Sequence, residues 1–209
     1  MAGRLPSRGL YAITDSILIP PERLAQTVEA AILGGAVLIQ YRDKMASWKE
    51  RLERAAMLVK ICHRHGVPLI VNDDPKLTLE TGADGVHLGR DDGPYEEARE
   101  LLGPEAVIGI SCYNVLDNAL AAQAMGADYA AFGRFFPSKT KPQAVEVTPS
   151  LLREARHRLK VPIVAIGGIS PENGGKLIEA GADFLAVIGG VFGQADVRQA
   201  AARYARLFS

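Results

Sequence analysis

Eight short apolar runs punctuate the chain, at residues 10–14, 37–41, 68–72, 85–88, 107–111, 129–134, 163–166 and 184–188. Each has the length of a buried strand. Between them lie longer stretches with helical periodicity, at 22–33, 48–65, 116–125, 149–159, 171–180 and 197–207. The dipeptide Gly-Ala recurs where helix gives way to strand: Gly35-Ala36, Gly82-Ala83-Asp84, Gly126-Ala127-Asp128 and Gly181-Ala182-Asp183. A glycine just past a helix takes the left-handed conformation at little steric cost. The spacings of 47, 44 and 55 residues each have room for a second junction, because a βαβ unit needs about 30 residues and neighbours share strands. Alternating strands and helices call for a parallel sheet, and eight regular units favour closure over an open doubly wound sheet. The pattern predicts an α/β fold, a (β/α)8 TIM barrel in a single compact domain spanning residues 1–209.

Composition narrows this only slightly. The 209 residues suffice for one sizeable core but leave little room for insertions. Twenty-four basic and 24 acidic residues cancel, so no whole-molecule field draws the protein to nucleic acid or an anionic membrane. The first twenty residues lack the pattern of an export signal, and no uncharged run reaches the roughly 18 residues that span a bilayer. The two cysteines, Cys62 and Cys112, have no metal-site or disulfide spacing, so a soluble protein of the reducing cytoplasm is expected. Oligomeric state is left open.

In a barrel of this kind, the loops after the strands build the site. Strand 2 runs out through Gln40-Tyr41-Arg42-Asp43-Lys44, where alternation turns Gln40, Arg42 and Lys44 to one side and makes that side cationic. Strand 3 ends in Asn72-Asp73-Asp74-Pro75, and strand 4 runs into Gly89-Arg90-Asp91-Asp92. Both turns suit helix capping or tight turns. Two carboxylate-rich turns beside three cationic or amide groups also suit Mg²⁺, which needs one or two protein carboxylates plus phosphate oxygens. Strand 6 leads into Ser138-Lys139-Thr140-Lys141, either a solvated loop or an anion contact. The paired glycines Gly167-Gly168 and Gly189-Gly190 follow strands 7 and 8, where this fold frequently binds phosphate on backbone amides.

Other candidates lead elsewhere. His63 and His65 do not share a helix face, and His157 stands alone, so zinc is not indicated. His87 reads as a satisfied barrel histidine, Cys112 has no recognisable base partner, and Trp48 packs at a helix start. Gly174-Gly175-Lys176 lacks the first glycine and final hydroxyl of a P-loop and reads as helix. The chemistry inferred is electrostatic, with two anionic groups held in one mouth.

The chain resembles the thiamine-phosphate synthase family from Gly9-Leu10-Tyr11-Ala12-Ile13-Thr14-Asp15 to Gly193. Five motifs carry the likeness, in order: Gln40-Tyr41-Arg42-Asp43-Lys44; Asn72-Asp73; Gly85-Val86-His87-Leu88-Gly89 with Asp92; Ser138-Lys139-Thr140-Lys141; and Ile166-Gly167-Gly168-Ile169. The resemblance implies a (β/α)8 barrel that couples hydroxymethylpyrimidine diphosphate to thiazole phosphate, giving thiamine phosphate and pyrophosphate with Mg²⁺. It implies Mg²⁺ on Asp73 and Asp92, and the pyrimidine diphosphate on Gln40, Arg42, Lys44, Asn72, Ser111 and Lys141. Of these, Arg42, Lys44, Ser111 and Lys141 would serve catalysis. The thiazole phosphate would fall to Ser138, Thr140, Gly168, Ile188 and Gly189, and the motifs extend substrate contact to Tyr41, Asp43 and Lys139. Pyrophosphate would leave first, and the thiazole nitrogen would capture the resulting pyrimidine-methyl cation.

The chain departs from many members at Arg90, where they have glutamine, and at Gly189, where they have serine. A thiazole tautomerase-like isomerase of similar fold and a noncatalytic barrel that binds phosphorylated ligands are the alternatives. The first needs no diphosphate site. The loop 137–145 is the expected lid.

Overall fold

In a computed structural model that describes residues 5–89, 92–137 and 147–209, the chain closes into an eight-stranded parallel barrel in sequence order. The strands are β1 (Gly9–Ile13), β2 (Ala36–Tyr41), β3 (Leu69–Asn72), β4 (Gly85–Leu88), β5 (Val107–Tyr113), β6 (Tyr129–Gly133), β7 (Ile163–Ile166) and β8 (Phe184–Val187). Every strand pairs with its sequence neighbours, and β8 returns to β1 through Leu10–Leu185 and Tyr11–Ala186. The helices are α1 (Leu24–Leu33), α2 (Trp48–Arg64), α3 (Pro75–Thr81), α4 (Tyr95–Leu102), α5 (Leu116–Met125), α6 (Pro149–Arg158), α7 (Gly174–Glu179), α8 (Gly189–Phe192) and α9 (Val197–Ala205). None of the described helices is long and apolar enough to cross a membrane.

Strand alternation divides the core in two. Leu10, Ala12, Ile39, Tyr41, Leu69 and Val71 point outward and pack beneath the helices. Tyr11, Ile13, Leu38, Ile70, Val107, Tyr129, Val164 and Phe184 point inward and fill the barrel. Strands buried on both faces read as continuous apolar runs, which is why they were legible from sequence.

Local chemistry sets the helix starts. Ser47 and Glu50 form a reciprocal capping box at α2: the Glu50 amide donates to Ser47 Oγ, and the Ser47 amide donates to Glu50 Oε2 at 2.9 Å. Asp74 caps α3 by accepting from the Leu77 amide at 2.9 Å, with Pro75 opening the helix. Helix α7 starts three residues later than periodicity predicts, because residues 171–173 form a turn closed by the Ser170 amide donating to Asn173 Oδ1 at 2.8 Å. Strand β5 runs past its predicted end to Tyr113 through a bulge against β6, leaving Tyr113 at φ 57°.

Candidate active site

A cavity of about 360 Å³ opens at the C-terminal mouth of the barrel, where the loops after the strands converge. Its lining includes Gln40, Arg42, Lys44, Asn72, Asp73, Asp92, Ser111 and Ile188, all candidates from the sequence. Gln40, Arg42 and Lys44 share the cavity side because β2 stays extended as it leaves the sheet, carrying alternate side chains to one face. Arg42 is steadied from the segment after β1: its amide donates to Thr14 Oγ1 at 2.9 Å, and its guanidinium lies 3.5 Å from Asp15 Oδ2.

Tyr41 and Asp43, expected from their motif to touch substrate, face the other way. Tyr41 is 2% exposed within the helix-side core. Asp43 accepts from the amides of Met45 and Ala46, both at 3.1 Å, and pairs with Arg54 of α2 at 2.7 Å. These bonds hold its carboxyl below the ordinary aspartate value although burial pushes it up. The two residues anchor the loop that presents Arg42 and Lys44. The same alternation that aims those cations inward turns Tyr41 and Asp43 outward.

The run Asn72-Asp73-Asp74-Pro75 divides its labour. Asp74 is a cap and an ion-pair partner of Arg51 at 3.1 Å. Asp73 sits at φ 65°, a left-handed conformation unusual outside glycine. That turn brings its carboxylate to Lys44 Nζ at 3.1 Å and within hydrogen-bond reach of Asp92. Asp92 Oδ2 also accepts from the Gly89 amide at 2.7 Å, and the site has no room for a Cβ on Gly89, which would lie 2.6 Å from that oxygen. Burial first, and then the neighbouring Asp73, raise the Asp92 carboxyl above its ordinary value; the Gly89 amide and Lys44 partly oppose this. Two carboxyls crowded beside one lysine form a hard oxygen donor set. Among the described residues no cluster of three or more His, Cys, Asp or Glu could hold a metal. Two carboxylates, with Asn72 beside them, nevertheless fit an ion that completes its shell with waters and phosphate oxygens, as Mg²⁺ does.

The glycine pairs behave differently from one another. Gly167 lines the cavity, whereas Gly168 is exposed at the rim; both have positive φ, at 106° and 63°. A Cβ on Gly167 would lie 2.3 Å from Arg134 Cβ, and one on Gly168 2.5 Å from the Pro137 carbonyl oxygen. Glycine is required there by the close crossing of the chain after β6. Gly189 is exposed at the start of α8, next to the cavity-lining Ile188, and a Cβ on it would meet only Leu18 Cδ1 at 3.8 Å. Space therefore does not demand glycine at 189, in contrast to Gly190, where a Cβ would lie 2.1 Å from the Tyr204 hydroxyl. Ser138, Lys139, Thr140, Lys141 and Arg90 lie outside the described residues, as does the expected lid beyond Pro137.

Several lining residues carried no sequence signal of their own. Tyr11, Tyr113 and Arg134 reach the cavity from β1, the end of β5 and the end of β6. Tyr113 depended on an unforeseen bulge, and Tyr11 looked like one more apolar strand residue. His87 is the satisfied barrel histidine expected, with ring nitrogens 2.9 Å from the Tyr129 hydroxyl and 2.8 Å from Ser111 Oγ, yet it too lines the cavity.

A closed (β/α)8 barrel with cations and carboxylates gathered in a cavity at its C-terminal mouth has the architecture on which enzymes of this fold carry their sites. The sequence model of the family described as thiamine monophosphate synthase matches residues 10–191. Thiamine-phosphate synthase of Nitrosococcus oceani is 55% identical over 201 residues, covering 96% of this chain and 93% of the relative. That of Methylococcus capsulatus is 51% identical over 203 residues, covering 97% and 90%. Among solved structures, thiamine phosphate pyrophosphorylase from Pyrococcus furiosus superposes with a TM-score of 0.87 at 36% identity, covering 96% of this chain and 95% of its own. The chain belongs to the thiamine monophosphate synthase family and is an enzyme.

Proposed function

We propose that the protein condenses hydroxymethylpyrimidine diphosphate with thiazole phosphate, releasing thiamine phosphate and pyrophosphate. The observation that carries this reading is the juxtaposition of Arg42, Lys44, Asn72, Asp73 and Asp92 in the lining of one cavity, with Lys44 Nζ 3.1 Å from Asp73. Asp73 and Asp92 would hold Mg²⁺, which when bound neutralises charge on a diphosphate leaving group. Arg42 and Lys44, with Lys141 and Ser111, would hold the diphosphate as the carbon–oxygen bond to the pyrimidine methylene breaks and the electron pair departs with pyrophosphate. The thiazole nitrogen then gives its lone pair to the methylene carbon, and the carbon–nitrogen bond forms.

No proton moves in either step. The reading therefore calls for no general acid or base, and the carboxylates and cations at the mouth suffice for electrostatic stabilisation of the leaving group. The apolar inner wall of Ile13, Val164, Ile166 and Ala186 shields a cationic carbon from water. Gln40 and Asn72 would orient the pyrimidine diphosphate. Ser138, Thr140, Gly168, Ile188 and Gly189 would take the second phosphate. A cytoplasmic location belongs to the same reading, supported by two buried cysteines that form no disulfide.

The test is direct. Purified protein incubated with both substrates and Mg²⁺ is expected to yield thiamine phosphate and pyrophosphate in equal amounts. Absence of both products sinks the proposal. Turnover of a thiazole phosphate alone would favour the tautomerase, and binding of ligands without turnover would favour a noncatalytic barrel.

A further inference from the structure

A file of side-chain hydrogen bonds crosses the barrel floor beneath the cavity. Gln40 Nε2 donates to the Tyr11 hydroxyl at 2.7 Å, and the Tyr11 and Tyr129 hydroxyls are 3.0 Å apart. The Tyr129 hydroxyl lies 2.9 Å from His87 Nδ1, and His87 Nε2 lies 2.8 Å from Ser111 Oγ. Five strands contribute one link each. Gln40 and Ser111, at the two ends, line the cavity, whereas Tyr129 lies behind it and is fully buried.

Proton counting gives the file a direction. A hydroxyl has one proton to donate. Tyr11 is buried, so if it accepts from Gln40 Nε2 and its own proton is to be satisfied within the file, that proton goes to Tyr129 and the Tyr129 proton goes to His87 Nδ1. His87 then carries its proton on Nε2 and donates to Ser111 Oγ, so the Ser111 proton is left for the cavity. Reversing the Gln40 amide would reverse every later link, because each group would accept where it had donated. Burial raises both tyrosine hydroxyls far above their ordinary range, which keeps both protons in place.

The middle link cannot swing aside. The Tyr129 ring stacks on His87 with centroids 5.6 Å apart and an interplanar angle of 13°. On another side it lies against the backbone of Gly109, where a Cβ would sit 1.9 Å from Tyr129 Cζ. Glycine at 109 is thus what allows a tyrosine at 129.

We propose that Tyr129 is a positioning residue that couples the two ends of this file, so that Gln40 offers the cavity a carbonyl acceptor and Ser111 a hydroxyl donor. A heteroaromatic ring bearing both an N–H donor and an acceptor nitrogen is the ligand chemistry that suits this polarity. The ligand assignment rests on the pyrimidine reading above; the tautomer it imposes on His87 does not.

The experiment compares the wild type with Tyr129→Phe, which keeps the ring and its packing but removes the hydroxyl. Nitrogen NMR of the wild type is expected to show His87 protonated at Nε2, and Y129F is expected to show a mixture of tautomers. Affinity for hydroxymethylpyrimidine diphosphate should fall about tenfold in Y129F, the scale of one lost polar contact, while affinity for inorganic pyrophosphate stays unchanged. A purely structural role would lower both affinities alike or neither. Protonation at Nδ1 in the wild type, or an unchanged ratio of the two affinities in Y129F, would overturn the proposal. Should Y129F not fold, Tyr11→Phe breaks the adjoining link and must produce the same tautomer mixture. If the wild type binds pyrophosphate but not the pyrimidine diphosphate, the pyrimidine reading fails, and the His87 tautomer still decides the relay.

Discussion

Aspartates at the two ends of the barrel are used in opposite ways. At the N-terminal end, Asp84, Asp128 and Asp183, the third residues of the Gly-Ala-Asp repeats, perform one job three times. Asp84 Oδ2 accepts from the Leu69 amide at 2.7 Å and faces His63 Nε2 at 2.9 Å. Asp128 Oδ2 accepts from the Ile108 amide and from Arg99, both at 2.8 Å. Asp183 Oδ2 accepts from the Ile163 amide at 2.7 Å and from Arg156 at 2.9 Å. Each carboxylate ties the start of one strand to the helix before it, and each has a basic partner. At the C-terminal mouth, Asp73 and Asp92 crowd each other instead, with Lys44 Nζ 3.1 Å from Asp73 as their nearby cation. Carboxylates supplied with amides and bases stabilise the fold; a carboxylate pressed against another, as Asp92 is against Asp73, has its proton affinity raised, and under the proposed function the two would share a cation.

That contrast can be broken by deletion at the mouth. Asp92→Ala is expected to lower turnover by about 10²- to 10³-fold, or roughly 3 to 4 kcal/mol in transition-state stabilisation. Its structural cost is the Gly89 amide bond, about 1 kcal/mol. Steady-state kinetics beside a thermal melt check both halves; near-normal turnover with a lowered melting temperature would make Asp92 a cap like Asp74.

A smaller effect is expected from the lysines of the loop after β6. Lys141→Ala should depress kcat by about ten- to a hundredfold, the range for a hydrogen bond to a charged group, and raise KM less. Lys139→Ala should cost less, because, of the two lysines, the diphosphate contact is proposed for Lys141 alone. Equal losses in the two variants would mean that only the net charge of the loop matters.

The N-terminal end should respond in stability and not in turnover. Asp128→Ala leaves the Ile108 amide and Arg99 without their carboxylate, a loss of about 1–3 kcal/mol. At this chain length the melting temperature should fall by about 3–10 °C. Activity per folded molecule at 25 °C should be unchanged; a loss of turnover comparable to that of Asp92→Ala would erase the distinction between the two ends.

The smallest effect tests Asp43, which lies near the mouth but is supplied like the aspartates below. Its carboxyl is held below the ordinary aspartate value of about 3.9, so the stability it contributes is complete above that pH and lost as pH falls through the lower, folded value. Asp43→Asn should therefore be less stable than wild type at neutral pH, by about 1 kcal/mol, with the gap closing below about pH 4. Denaturant melts across pH 2–7 measure it. A gap that widens toward acid would reverse the assignment.

Much of the fold was legible because it rests on local pattern. The eight apolar runs coincide with the eight strands to within two residues at either end, since strands covered on both faces must be apolar throughout. Alternation along β2 sufficed to group Gln40, Arg42 and Lys44. Capping chemistry in Asn72-Asp73-Asp74-Pro75 was equally local, although the sequence did not separate Asp74, which caps, from Asp73, whose positive φ turns it to the cavity.

What the tertiary structure alone decided depends on partners distant in sequence. The Gly-Ala-Asp repeats announced their junctions, but each aspartate finds its strand amide 15 or 20 residues earlier, beyond any local rule. The fourth junction, Gly35-Ala36, carries Val37 where the others carry aspartate; there a Cβ on Gly9 would lie 2.5 Å from Val37 Cγ2, so apolar packing replaces the carboxylate clamp. Tyr41 and Asp43 were drawn into the site by a contiguous motif and turned out of it by strand geometry. The Tyr11–Tyr129–His87 file needed the barrel to close, since its hydroxyls come from strands 118 residues apart in sequence and meet only inside. Periodicity reports which face a residue is on, and closure determines what it meets there.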